Sequence, residues 1–266
     1  MSDTKRHRLK VVNSSGHPAE AEPAKRDVRT PRKRPDPGTQ LCYLCGLPLS
    51  SSDATGKDHV PPRQFFPKAL RRDDTSLQLG TLLVHTSCNH SYQSDEDYFV
   101  SAIVPIAMST RRGSEMWSDL AQQIDRPATQ ALFRMNMRRS SFPDRPILLP
   151  GGRIPWHFDG PRVWRIVWKI MRGVFYTDEG RVLPENTMHI CDSVTTSNES
   201  PPDLYGVVAP SPIKGHHPDV FSYKLRRFEI QDAVVWAAGL LFWEYVAFFL
   251  VFHDPDCQCG DCLSLD

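Results

Sequence analysis

The residue types best suited to chemistry gather in two short pairs. Cys42-Tyr-Leu-Cys45, followed by Gly46, and His85-Thr-Ser-Cys88 each set two zinc-ligand residues with two residues between them. That spacing lets both members of a pair face one tetrahedral ion, and four protein ligands leave zinc no open position. The expectation is a structural zinc held by Cys42, Cys45, His85 and Cys88, closing a loop over the 39 residues between the pairs. Cys-x-x-Cys alone also occurs in redox motifs, whereas its pairing with His-x-x-Cys points to metal.

Inside that loop lies Lys57-Asp58-His59-Val60-Pro61-Pro62-Arg63, and Asn89 follows the second pair directly. Asp58 and Asn89 offer hard oxygen donors that suit Mg²⁺ or Mn²⁺. His59, with an ordinary pKa of about 6.5, suits a general base acting on water. An isolated Asp-His is usually a solvated turn; here that reading must also account for the zinc pairs and Asn89. Arg63 is a candidate phosphate clamp, or a partner of Asp73 or Asp74. Cys257-Gln-Cys259-Gly-Asp-Cys262 forms a further cluster. It reads either as a second zinc site completed by His253 or Cys191, or as free thiols near a frayed end.

At these residues the chain resembles the HNH endonuclease family, with its ββα-metal, treble-clef-like fold and zinc half-knuckles. The resemblance runs over Leu41–Phe99, about a quarter of the chain. It is similar to the junction-resolving arrangement of Cys-x-x-Cys, Asp-His and Cys-x-x-Cys-Asn in that order. His85 stands where the commonest pattern has cysteine, and histidine is a competent zinc ligand. The run Ser94-Asp95-Glu96-Asp97-Tyr98-Phe99 is similar to the segment that follows the Asn in bacterial HNH proteins. Its acidic residues read as helix-surface charges or as a second metal shell. The resemblance implies an endonuclease that hydrolyses phosphodiester bonds in nucleic acid, DNA in the first instance. His59 would be the base, Asp58 and Asn89 the ligands of a catalytic Mg²⁺ or Mn²⁺. The alternative is a zinc-binding module that binds nucleic acid or protein without cleaving anything, and such a module has no use for an Asp-His-Asn set.

Other elements must position these residues. With 266 residues the chain has room for one large domain or two small ones. The net charge of +1 is uninformative, but residues 1–40 hold ten Lys/Arg against five Asp/Glu. That segment lacks aromatics and reads as a disordered basic tail, either a solvated leader or an arm with phosphate affinity. Clustered cysteines and the absence of an apolar signal core near Met1 point to a reducing compartment, the cytoplasm.

Residues 41–100 form the expected HNH domain and residues 101–266 a helical plus β C-terminal domain, an α+β chain overall. Met116–Ile124 and Thr129–Met137 read as helices, with Pro105, Pro127 and Pro143 as candidate breaks. Pro161–Tyr176 reads as a helix. Arg162, Arg165, Lys169 and Arg172 share one of its faces, a solvated stripe or a phosphate-binding one. Thr187–His217 reads as loops around a short strand at Tyr205–Ala209. Tyr223–Phe252 reads as strands closing a second core. Ala233–Phe252 has the length of a membrane span and one charge, Glu244, but no basic flank. Buried strands are the expectation there, and no membrane partner. Oligomeric state is not legible.

Overall fold

Gly46, with φ of 75°, turns the chain back so that its N–H bonds to the Cys42 carbonyl at 2.7 Å and Leu41 bridges Pro48. A side chain is strained at that φ, which is why glycine follows the second cysteine. In the computed structural model the described residues are 40–72, 79–140, 158–187, 189–195, 203–230 and 233–259, within one unit, Pro35–Asp266. The expected basic tail, except Gln40, lies outside them, as do Cys262, Asp73, Asp74 and Pro143.

Strand β1 (Thr55–His59) pairs antiparallel with β2 (Thr81–His85), setting Thr55 opposite His85 and Asp58 opposite Leu82. A 3-10 turn, Arg63–Phe65, and the short α1 (Lys68–Arg72) lie between them. β2 runs without a loop into α2 (Thr86–His90), which carries Cys88 and Asn89. Then follow α3 (Gln93–Ala107), α4 (Arg111–Ala121) and α5 (Pro127–Ser140). Pro127 opens a helix, where a missing N–H costs nothing, but Pro105 lies inside α3 instead of breaking it. The buried run Tyr98–Val104 holds α3 through the lost hydrogen bond. Residue 100, the expected domain boundary, falls inside this helix.

Helix α6 (Gly160–Glu179) has Pro161 in its first turn and Gly180, φ 66°, as its left-handed cap. Every residue from Ile166 to Phe175 is buried, so this is an internal helix with no solvated face along that stretch. Burying each Val, Ile or Phe side chain contributes about 1.5–3 kcal/mol. Edge-to-face aromatic pairs at 5.2, 5.6 and 5.2 Å (Trp164–Phe248, Trp168–Phe252, Phe175–Trp236) fix it against a second sheet.

That sheet contains β3 (His189–Thr195), β4 (Lys214–His217), β5 (Phe221–Ile230), β6 (Ala233–Phe242) and β7 (Val246–His253). Its order is β3-β7-β6-β5-β4, antiparallel throughout. One face joins the main core with α3 and α6; the other buries Ala237 and Phe249 against Val208. Val208 belongs to α7 (Asp203–Val208), which replaces the strand expected at Tyr205–Ala209. Packing on the sheet face overrides the β propensity of Tyr205, Val207 and Val208. Ala233–Phe252 is the β6–β7 hairpin with the Trp243–Tyr245 turn, and no helix among the described residues is long and apolar enough to cross a membrane.

Candidate active site and metal centre

The β1–β2 ribbon carries His85 at its end, the Gly46 turn presents Cys42 and Cys45, and α2 adds Cys88. The ligand atoms of these four residues all lie within 4.8 Å of one another. Cys45 Sγ and Cys88 Sγ stand 3.3 and 3.9 Å from the same His85 Nδ1. A tetrahedral zinc, with Zn–S about 2.3 Å and Zn–N about 2.0 Å, requires donor–donor edges of roughly 3.5–3.8 Å. One imidazole nitrogen has a single proton or lone pair, so two thiols converging on it fit a shared metal better than two hydrogen bonds. Asp53 Oδ2 lies 3.5 Å from His85 Nε2, where a carboxylate orients a ligating imidazole. Burial, and then the neighbouring Cys45 thiol, push the Cys88 thiol up, a situation that a bound metal reverses by stabilising thiolate. These residues fit zinc.

A cleft of about 540 Å³ opens beside this centre. Lys57, Asp58, His59, Arg63, Asn89 and Glu96 line it, together with Pro62, Gln64, Lys68, Arg71 and Arg72. Asp58, His59 and Asn89 therefore share one cavity wall, because β1 and α2 are tied together through the knuckle. Arg63 is there too, its Nη2 donating to the Arg71 carbonyl at 3.3 Å.

Asp58 is 4% exposed, and its oxygens are already engaged. Tyr43 OH, from between the two knuckle cysteines, donates to Oδ2 at 2.6 Å. Lys169 Nζ donates to Asp58 Oδ1 at 3.1 Å, to Asn89 Oδ1 at 3.2 Å and to Glu96 Oε1 at 2.5 Å. Burial, then the charge and hydrogen bond of Asp58, hold the Tyr43 phenol well above its ordinary range. Burial likewise raises the Glu96 carboxyl, against the pull of Lys169. The oxygens of Asp58 and Asn89 do converge, as a divalent cation needs, but they converge on an ammonium.

The basic stripe of α6 needs correction. Lys169 and Arg172 are each 1% exposed and are not surface cations. Arg172 donates to the carbonyls of Tyr43, Leu44 and Leu183, so it braces the first knuckle from behind. Arg162 and Arg165 pair with the two oxygens of Asp95 at the start of α3 and bond the Ser94 and Ser91 carbonyls. Arg162 and Arg165 face the acidic start of α3, and Arg172 the backbone carbonyls of the first knuckle, because α6 crosses both. Their role is to clamp α6 to the knuckle unit.

Tyr43 went unread in the sequence, although it sits inside a zinc-ligand pair. Glu96 read as a surface charge or part of a second metal shell and Lys169 as one of a basic stripe, and neither reading joined them to Asp58. The signal in Lys169 is a lone charge within the apolar run Ile166–Met171. Basic residues Lys57, Lys68, Arg71 and Arg72 of the cleft gave none beyond their proximity to Asp58.

A second Cys/His group also forms. Ligand atoms of His253, Cys257 and Cys259 lie within 4.8 Å of one another, with both thiols again on one Nδ1, at 3.5 and 3.3 Å. The group can hold a metal. Cys262 lies outside the described residues, and Cys191 falls in β3 opposite Leu250. In comparisons with known proteins, no family model, no curated protein and no solved structure matches the chain.

Proposed function

We propose that the cleft hydrolyses phosphodiester bonds of nucleic acid, DNA in the first instance, in the manner of an HNH endonuclease. The observation that carries this reading is the co-location of His59, Asp58 and Asn89 in one cleft whose remaining charges are mostly positive. Five lysines and arginines line it against two carboxylates, and both carboxylates already bond to Lys169. Such a lining attracts a phosphate backbone and concentrates it near the cavity wall.

In this reading His59 takes the proton from an attacking water, and Arg63 with Arg71 and Arg72 orients the phosphate. Tyr43 holds Asp58 in place, and Lys169 bonds Asp58 and Asn89 when no divalent ion is held there. Asp58 and Asn89 are the residues that would hold Mg²⁺ or Mn²⁺, and such an ion supplies charge against the phosphate oxygens in the transition state. Zinc at Cys42, Cys45, His85 and Cys88 keeps β1 and α2 in register and takes no part in the reaction.

The test is incubation of the zinc-loaded full chain with plasmid, linear DNA, four-way junction DNA and RNA, with Mg²⁺ or Mn²⁺. Cleavage by the wild type that falls about 10²–10⁴-fold in His59→Ala, with zinc content and DNA binding kept, is the expected result. A protein that binds these polymers but cleaves none is instead a zinc-based binding module. The engagement of both Asp58 oxygens by Tyr43 and Lys169 is the observation that favours this second reading.

A further inference from the structure

The innermost oxygens of the cleft enclose a charge supplied by the chain itself. An ammonium has three donors and no acceptor. Those of Lys169 meet three different acceptor residues, Asp58, Asn89 and Glu96, at 3.1, 3.2 and 2.5 Å. Its second approach to Asp58, at 2.9 Å to Oδ2, places the nitrogen astride the carboxylate. With the Lys169 side chain 1% exposed, the stem lies within α6's buried run and the ring of Tyr92 stands 5.3 Å from Nζ. Two carboxylates and an amide oxygen around one point form a cage with the composition of a hard-cation site. An ammonium and a divalent ion cannot both occupy the inner faces of the same oxygens, since their charges repel at contact distance.

We propose that Lys169 is the resident cation of this cage, and that a divalent cation competes with its ammonium for Asp58 and Asn89. Metal loading is then coupled to withdrawal of the lysine. Glu96, on the α3 side of the cage, retains the ammonium when the other two oxygens are given up. The coupling lowers the affinity of the empty cleft for Mg²⁺ or Mn²⁺. A bound phosphate adds oxygen ligands and shifts the balance toward metal, so the site arms itself only when substrate is present. This inference rests on the reading that Asp58 and Asn89 are the cation ligands, and its test reads metal binding apart from cleavage.

Two measurements decide it. Mn²⁺ is titrated into zinc-loaded wild type, Lys169→Gln and Lys169→Met without nucleic acid, with free Mn²⁺ read by electron paramagnetic resonance. Both variants are expected to bind Mn²⁺ at least about fivefold more tightly than wild type, the low end of ordinary coupling factors of roughly 5–150-fold. Equal or weaker binding overturns the proposal, because a merely structural lysine gives no gain in affinity on removal. The second measurement needs no variant to fold. A buried, fully bonded ammonium exchanges slowly enough for a ¹H–¹⁵N lysine side-chain resonance, and adding Mg²⁺ to wild type should shift or abolish it. A resonance unchanged at saturating Mg²⁺ overturns the proposal. Tighter Mn²⁺ binding without cleavage of any polymer would remove the nuclease reading and leave the competition standing. Cleavage with unaltered Mn²⁺ affinity would do the reverse.

Discussion

Tyr43 shows how closely the metal centre and the cleft are joined at the level of single side chains. Its neighbouring cysteines belong to the Cys/His group that can hold a metal, while its hydroxyl reaches Asp58, with both residues buried. Tyr43→Phe deletes one charge-assisted hydrogen bond without opening a cavity. The expected loss is about 1.5–3 kcal/mol of unfolding free energy, read by denaturant melts. Zinc content should be unchanged. Asp219 allows a pH prediction. Burial works against its charged form, but the hydrogen bonds and charges of Arg112 and Arg111 outweigh this and hold the carboxyl below its ordinary range. A carboxylate depressed in the folded state contributes stability above the unfolded pKa of about 3.9, and that contribution disappears as pH falls through the lower folded value. Thermal melts of Asp219→Asn should therefore converge with wild type toward acid pH and lie below it at neutrality.

At the level of elements, α6 decides whether the knuckle unit is held. Gly173 is its closest approach: a Cβ there would stand 2.6 and 2.9 Å from the two γ-carbons of Val60 and 3.3 Å from Tyr43. Val60 follows His59 directly and is stiff at χ1, so it cannot turn aside. Gly173→Ala should cost about 1–3 kcal/mol, with Val60→Ala recovering part of the loss in a double-mutant cycle. Additivity of the two changes would show that the contact does not set the distance.

The limits of the sequence are plain in this helix. Its start, its Gly180 cap and its apolar side follow from proline, glycine and a 3.6-residue period, and the ligand spacing of the knuckles is local information too. The destination of the four basic residues is not. Period alone places Arg162, Arg165, Lys169 and Arg172 on one face, and such a face is solvated unless another element covers it. Here the covering elements are α3, whose Asp95 and Glu96 are ambiguous until the two helices cross, and the first knuckle, whose carbonyls meet Arg172. Long-range pairing also hid Lys169 from the site and made α7 a helix, since the sheet it rests on is built from later strands.

For the molecule as a whole, the metal groups stand at opposite ends of the chain. One joins residues of the first knuckle, the β1–β2 ribbon and α2; the other lies just past β7, where Asp254 accepts hydrogen bonds from Trp236 and Arg181. Two equivalents of zinc per chain are expected by metal analysis, given the two ligand groups. Cys45→Ser should lose one equivalent and several kcal/mol of stability, because metal binding and folding are coupled. Cys257→Ser with Cys259→Ser should lose the other and leave the first in place. One equivalent in wild type, unaffected by the second pair of substitutions, would restrict zinc to the knuckle.

Trp243 carries a consequence for how the protein comes into being. Its backbone sits at φ 51°, unusual for a bulky residue, and its fully buried indole donates to the Phe65 carbonyl at 3.0 Å. Thr110 holds the Trp243 carbonyl at 2.8 Å. The 3-10 turn that presents Arg63 to the cleft thus leans on a residue 178 positions later in the chain, and Asp58 on a lysine 111 positions later. A ribosome adding roughly 5–20 residues per second incorporates Asp58 about 6–22 s before that lysine, and the tryptophan later still. A nascent chain therefore displays every sequence hallmark of the site well before its support exists. The support of the cleft is complete only once the β6–β7 hairpin, with Trp243 in its turn, has formed.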